Sequence, residues 1–237
     1  MKRCLLIFCF MIGATLAMSA AGFSIWTTAQ ISKTFNEKLS LTTSAGLHTR
    51  DTFSGMQLMS VGETALYRFN RYFAASAGYT FISYNADRIK DSDGNRIDPF
   101  WSPRHSFTVS GIASYPVSRV DCTLRLMLGV VYRPEHTIDS PIGPMNIVDN
   151  TNEKLRTQLR LAWNIPDSKW RPYISIERFT RLGGEKSGKL EKNRYAVGTD
   201  FTINPHMGLR AFYLYQDHAD DIELSGSVGG ITYKLNF

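Results

Sequence analysis

Arginine carries most of the usable chemistry in this sequence. Arg125, Arg133, Arg156, Arg160, Arg194 and Arg210 fall in segments where polar and apolar residues alternate. Arg50, Arg104, Arg171 and Lys234 hold the polar phase of their own segments, as do the carboxylates Asp121, Glu177 and Asp200. Alternate residues of an extended chain share a face. These side chains therefore form one wall, rich in guanidinium groups and short of carboxylates. A guanidinium keeps its charge and forks onto carboxylates or phosphates. Around a water-filled bore such a wall favours a small anionic solute, because rings of charge set pore selectivity. In a narrow, filled interior the same residues would pair with one another. The sequence leaves both outcomes open.

Other reactive groupings lack the geometry that chemistry needs. His105 and Ser106 are adjacent and would point to opposite faces of a strand, so they cannot act as nucleophile and base. His136, Asp139 and Ser140 share one loop and Asp217-His218 another, where polar residues are expected in any case. Asp91-Ser92-Asp93-Gly94-Asn95 opens like a calcium loop, but its twelfth position is Ser102 rather than an acid, so the match fails. Asp-Gly reads better as a hairpin tip. The 5 histidines are scattered and offer no zinc spacing. Gly183-Gly184 and Gly229-Gly230 open no helix, so they cannot cradle phosphate as a strand-to-helix loop does. The pI near 9.2 comes without a clustered basic run, which argues against nucleic acid. The expectation is a protein that is not an enzyme and carries no cofactor or metal.

Long strands must position the arginine wall. Val120, Cys122, Leu124, Leu126, Leu128, Val130 and Tyr132 alternate with Asp121, Thr123, Arg125, Met127, Gly129, Val131 and Arg133. Residues 155–165 and 194–203 repeat the design. Such runs last roughly 10 to 14 residues, against about 5 or 6 in soluble sheets; a tilted membrane strand needs about 9 to 11. No amphipathic helix follows residue 22 to cover the apolar face. That face must meet a second sheet or lipid, and in lipid the sheet must close. Short links at 36–38, 70–71, 118–119, 167–169 and 204–206 alternate with longer ones at 50–54, 86–103, 134–153, 182–192 and 217–221. Short periplasmic turns and longer outer loops mark an outer-membrane barrel. Tyr67, Phe69, Tyr72, Phe73, Tyr115, Trp163, Trp170 and Tyr173 flank the short links, and Tyr84, Trp101, Tyr132, Tyr195 and Tyr215 lie toward the long ones, as two interfacial girdles would.

The totals hide this pattern. The 237 residues have a net charge of +6, 43% hydrophobic residues and a mean hydropathy of −0.19. These values suit a soluble protein and exclude a bundle of transmembrane helices. A barrel averages its two faces to the same figures. At the start of the chain, Lys2 and Arg3 precede an apolar run from Leu5 to Ile12, and Ser19-Ala20-Ala21 offers a cleavage site. Residues 1–21 read as a cleaved secretory signal peptide, leaving 22–237 as the outer-membrane β-barrel domain. Cleavage removes Lys2 and Arg3, taking the charge from +6 to +4. It also removes Cys4 and Cys9, so Cys122 is left without a disulfide partner. At the other end Ile231, Tyr233 and Leu235 alternate up to a terminal Phe237.

That ending resembles the signal read by the bacterial barrel-assembly machinery. Further short motifs follow in order: Trp26, Asn36-Glu37-Lys38-Leu39-Ser40-Leu41, Arg50, Tyr67, Gly78-Tyr79 and Pro103-Arg104-His105-Ser106-Phe107. Arg156 and Arg160, Arg171-Pro172-Tyr173, Asn193-Arg194-Tyr195 and Gly198 complete the series. In this order they are similar to the bacterial outer-membrane β-barrel family catalogued as domain of unknown function 2490. The resemblance spans most of the chain after the signal and implies fold and location rather than an activity. Eleven candidate strands begin near Ile25, Leu39, Met56, Tyr72, Arg104, Val120, Leu155, Lys169, Asn193, His206 and Ile222. Single-chain bacterial barrels have even strand numbers. The expectation is therefore ten strands, with 22–35 outside the wall, or twelve.

The full expectation is an all-β protein: a closed antiparallel transmembrane β-barrel of about 10–12 strands. It would be a monomer in the bacterial outer membrane, inserted by the barrel-assembly machinery. Lipopolysaccharide phosphates would meet Arg104 and Arg133 at the outer rim, and a small anionic solute would meet the lumen.

Overall fold

The computed structural model describes residues 23–50, 55–86, 89–90, 96–97, 99–140, 143–184, 187–219 and 226–237. The segment expected to be a signal peptide, 1–21, and the expected hairpin tip, 91–95, lie outside the described residues. The strands are β1 (Phe23–Thr34), β2 (Leu39–Thr49), β3 (Met56–Arg68), β4 (Phe73–Asn85), β5 (Ile89–Lys90), β6 (Arg96–Ile97), β7 (Trp101–Val117) and β8 (Val120–Arg133). They continue as β9 (His136–Ser140), β10 (Gly143–Ile147), β11 (Asn150–Trp163), β12 (Trp170–Arg181), β13 (Leu190–Asn204), β14 (Met207–His218) and β15 (Gly226–Asn236). Eleven of them close a barrel in the order β1-β15-β14-β13-β12-β11-β8-β7-β4-β3-β2. The pairs β5–β6 and β9–β10 are separate small hairpins in the two longest loops.

Strand number corrects the expectation. It is neither ten nor twelve, and residues 23–34 are a full wall strand. An even count is required only when every neighbouring pair is antiparallel. Here β1 runs parallel to β15, with Phe23 opposite Ser227 and Ser32 opposite Asn236, while β1 and β2 are antiparallel. One parallel pair lets an odd meander close. Phe23 consequently stands at the long-loop end and Asn236 at the short-turn end.

The alternation seen in the sequence becomes inside and outside. On β8, Leu124, Leu126, Leu128, Val130 and Tyr132 are exposed outward, while Thr123, Arg125, Met127, Val131 and Arg133 are half-buried. On β12, Ile174 and Ile176 are exposed, and Tyr173, Ser175, Glu177 and Phe179 are buried between them. Lipid-facing apolar residues over a polar interior is the membrane-barrel arrangement. One carboxylate breaks the outer band. Glu63, midway along β3, faces outward, and its hydroxyl partner Thr43 is 3.4 Å away.

Asparagine builds three of the short turns. Asn36 Oδ1 accepts from the amides of Lys38 and Leu39, Asn70 Oδ1 from Tyr72 and Phe73, and Asn204 Oδ1 from His206. Each side chain stands in for a backbone carbonyl. The tight link from β7 to β8 places Ser118 at φ 57, a left-handed conformation that such a hairpin requires.

Candidate lumen site

The two halves of the inner wall differ in side-chain size. Strands β2, β3, β4 and β7 present Ser40, Ser44, Thr64, Ser76, Thr80 and Ser110 inward. Ser76 and Ser110 hydrogen-bond across the strands at 2.6 Å. Strands β8 and β11–β14 present the arginines, and β15 presents Lys234. Large chains reaching over a wall of small ones is how a narrow barrel fills its interior without overpacking.

Carboxylates organise these arginines in tiers. Nearest the short turns, Asp121 on β8 accepts from Arg171 on β12 and, at 2.7 Å, from Asn164. Above it Asp200 on β13 gathers three cations. Arg210 reaches both its oxygens at 2.9 and 3.2 Å, Lys234 lies at 2.7 Å, and Arg160 pairs with Oδ2. Higher still, Glu177 on β12 accepts from Arg156 at 2.6 Å and from Gln158, with Arg194 at 4.0 Å. Toward the long loops Glu191 meets Lys154 at 3.2 Å and Arg181 and Lys192 at 3.9 Å. A bulge between Phe179 and Thr180 in the β12–β13 register lets Glu191 join this tier.

Aromatic faces support the guanidinium planes. Arg160 lies 3.9 Å over Tyr173, and Arg194 lies 4.7 Å over Phe179 and 5.0 Å over Trp26. Trp26 itself stacks on His48 at 4.3 Å. These contacts fix the arginine planes and extend their packing across the bore.

The remaining arginines of the sequence reading are placed apart from this cluster. Arg50 donates to the carbonyls of Asn85 and Ala86 at 2.8 and 3.0 Å. Arg133 donates to the carbonyl of Val148 at 2.9 Å. Arg104 lies 3.9 Å over Tyr84. All three stand at the long-loop end. Arg125 differs from every other member. It points into the lumen beside the Glu177 tier, level with Gln158 on β11, and makes no hydrogen bond or ion pair among the described residues; its buried Nε is unpartnered. Ile231, Tyr233 and Leu235 share the outward face of β15, and the Phe237 backbone closes onto Ser32 and Thr34 of β1 at 2.8 and 2.9 Å.

Several lumen residues escaped the sequence reading. Tyr173 and Tyr84, assigned there to the girdles, turn inward beneath arginines. Tyr173 is only 8% exposed. Its parity with Arg171 and Glu177 was the available signal. Trp26 and His48 could have been placed inside by the same parity rule, had β1 been accepted as a wall strand. Among the described residues no group of His, Cys, Asp and Glu could hold a metal ion.

The cluster leaves a cavity of about 400 Å³ lined by Trp26, Arg125, Arg156, Arg194, Arg210 and Glu177 among others. That lies within the usual range for a small-ligand pocket. Cations outnumber carboxylates around it.

Comparison with known proteins supports the architecture. The structure is similar to the β domain of the Bordetella autotransporter Brka, at 14% identity, a TM-score of 0.59 and 85% coverage of both chains. It is also similar to the translocator domain of the autotransporter NalP from Neisseria meningitidis, at 12% identity and a TM-score of 0.54, over 78% of this chain and 71% of that one. At these identities the likeness is one of fold: an outer-membrane-type β-barrel. No curated protein matches the chain. The model of a family described as a protein of unknown function, DUF2490, matches residues 23–222, from the first residue of β1 to the link before β15, and the chain belongs to that family.

Proposed function

We propose that this protein is a narrow, anion-biased channel of the bacterial outer membrane. One observation carries the reading: Arg125 faces the lumen cavity without an ion pair among the described residues, beside tiers in which cations already exceed carboxylates. A fixed positive excess on a water-filled wall attracts anions and repels cations. The secretion signal at 1–21 and the closing Ile231, Tyr233, Leu235 and Phe237 support export and insertion by the barrel-assembly machinery. Arg104 and Arg133 stand at the rim where lipopolysaccharide phosphates would lie. The barrel acts as a monomer in this reading.

Planar bilayers test it. Reconstituted protein should conduct, and under a potassium chloride gradient its reversal potential should report chloride preference. Arg125→Glu should move that potential toward potassium. Silence from a correctly folded barrel would refute the channel.

A second reading has its own support. The saturated Asp200 tier ties β11, β13, β14 and β15 together across the interior. Silent bilayers with intact heat-modifiable migration would favour a closed scaffold whose long loops do the binding.

A further inference from the structure

The two central carboxylates are not equivalent. Both oxygens of Asp200 are engaged by cationic donors. Glu177 spends only Oε1, on Arg156 and Gln158. Its Oε2 is buried and has no hydrogen-bond partner among the described residues, the nearest cation being Arg194 Nη1 at 4.0 Å. Arg125 opens onto the same cavity and makes no hydrogen bond or ion pair among the described residues. The cavity thus offers the guanidinium groups of Arg125 and Arg194, on the strands to either side of β11 and β12, with one carboxylate oxygen of Glu177 between them that accepts no hydrogen bond.

This combination selects among anions by their protons. An oxyanion can accept from Arg125 and Arg194 with two of its oxygens, in the forked geometry that guanidinium groups favour. To lie against Glu177 Oε2 it must also donate, since a second bare oxygen there would be repelled. Hydrogen phosphate carries a P–OH that can donate. Sulfate has no proton at neutral pH, and chloride has neither a donor nor several acceptors.

We propose that the lumen cavity is a binding site for inorganic hydrogen phosphate, held by Arg125 and Arg194 and distinguished from sulfate by donation to Glu177. The inference rests on the reading of the lumen as an aqueous space that admits anions, but it does not require conduction.

Isothermal titration of the refolded, detergent-solubilised barrel tests it, with sodium phosphate, sodium sulfate, sodium chloride and methyl phosphate as separate titrants in mildly alkaline buffer. Phosphate should bind at least about tenfold more tightly than sulfate, because one charge-assisted hydrogen bond is worth that much. Methyl phosphate, whose dianion has no O–H to donate, should behave like sulfate. Arg125→Gln removes an unpaired cation and should weaken phosphate about tenfold or more without impairing folding. Glu177→Gln presents an amide that can donate, so sulfate affinity should rise toward that of phosphate. Equal binding of phosphate and sulfate by the unaltered protein would overturn the proposal. So would undetectable phosphate binding by a heat-modifiable barrel, or unchanged affinity in Arg125→Gln. Phosphate binding without conductance would keep this site and remove the channel. Anion-selective conductance without discrimination between phosphate and sulfate would keep the channel and remove this site.

Discussion

Replacing Asp200 with Asn would test whether the charge tiers hold the barrel together. The substitution keeps the side-chain shape and one acceptor while removing the charge. Arg160, Arg210 and Lys234 would then face one another with no anion between them. Breaking a fully buried pair costs about 3–5 kcal/mol, whereas an exposed pair contributes less than about 1 kcal/mol. The side chains here are 18–29% exposed, so the cost should fall between those limits, at roughly 2–3 kcal/mol. With a urea dependence of about 1–3 kcal/mol per molar, the unfolding midpoint should drop by about 1 M. Urea titration of the refolded barrel in detergent micelles, followed by tryptophan fluorescence and heat-modifiable gel migration, measures it. Adding Lys234→Met removes one of the three repelling cations and should return about 1 kcal/mol. A loss below about 0.5 kcal/mol, the range of an ordinary surface change, would refute the structural role of this tier.

Other positions give independent readouts. At Gly198 a Cβ would come within 2.6 Å of the Ala211 carbonyl oxygen and 2.8 Å of Tyr173 Cζ, so Gly198→Ala should lower the yield of folded barrel and cost about 1–3 kcal/mol by overpacking; a normal urea midpoint would contradict the packing described. Glu63→Leu removes an outward carboxylate from mid-strand and should leave stability unchanged or raise it by up to about 2 kcal/mol, seen as a higher midpoint in lipid vesicles. Ala29→Cys with Tyr233→Cys, in a Cys122→Ser background starting at residue 22, places two thiols on directly paired residues of β1 and β15. Oxidation should give a faster-migrating band on denaturing gels, and its absence would speak against the parallel seam.

The outer surface and the inner wall were legible because strand side chains alternate strictly. Parity alone put Arg125, Arg156, Arg160 and Arg194 on one face and Leu124, Leu126 and Leu128 on the other. Parity says nothing about which strand lies beside which. Arg160 reaches Asp200 by crossing from β11 over β12 to β13, a neighbourhood that exists only after closure. Arg171 finds Asp121 in the same way, while Arg125 forms no ion pair among the described residues. The eleven candidate strands are the eleven of the wall, and the step from eleven to ten or twelve failed for a related reason. The even-number rule describes barrels closed by antiparallel pairs, and no residue in β1 or β15 announces that the two run in the same direction. The girdle assignments of Tyr84 and Tyr173 failed because position along a strand was weighed ahead of phase within it.

The parallel seam also decides what can be attached where. In a barrel with an even meander both chain ends leave from one rim, so a short linker can join them and the order of strands can be permuted freely. Here Phe23 and Asn236 mark opposite rims of adjoining strands. A peptide tag placed ahead of Phe23 would emerge among the long loops, and one placed after Phe237 among the short turns. The two ends therefore address the two sides of a membrane separately, and a circularly permuted version would need a linker long enough to run the whole height of the wall.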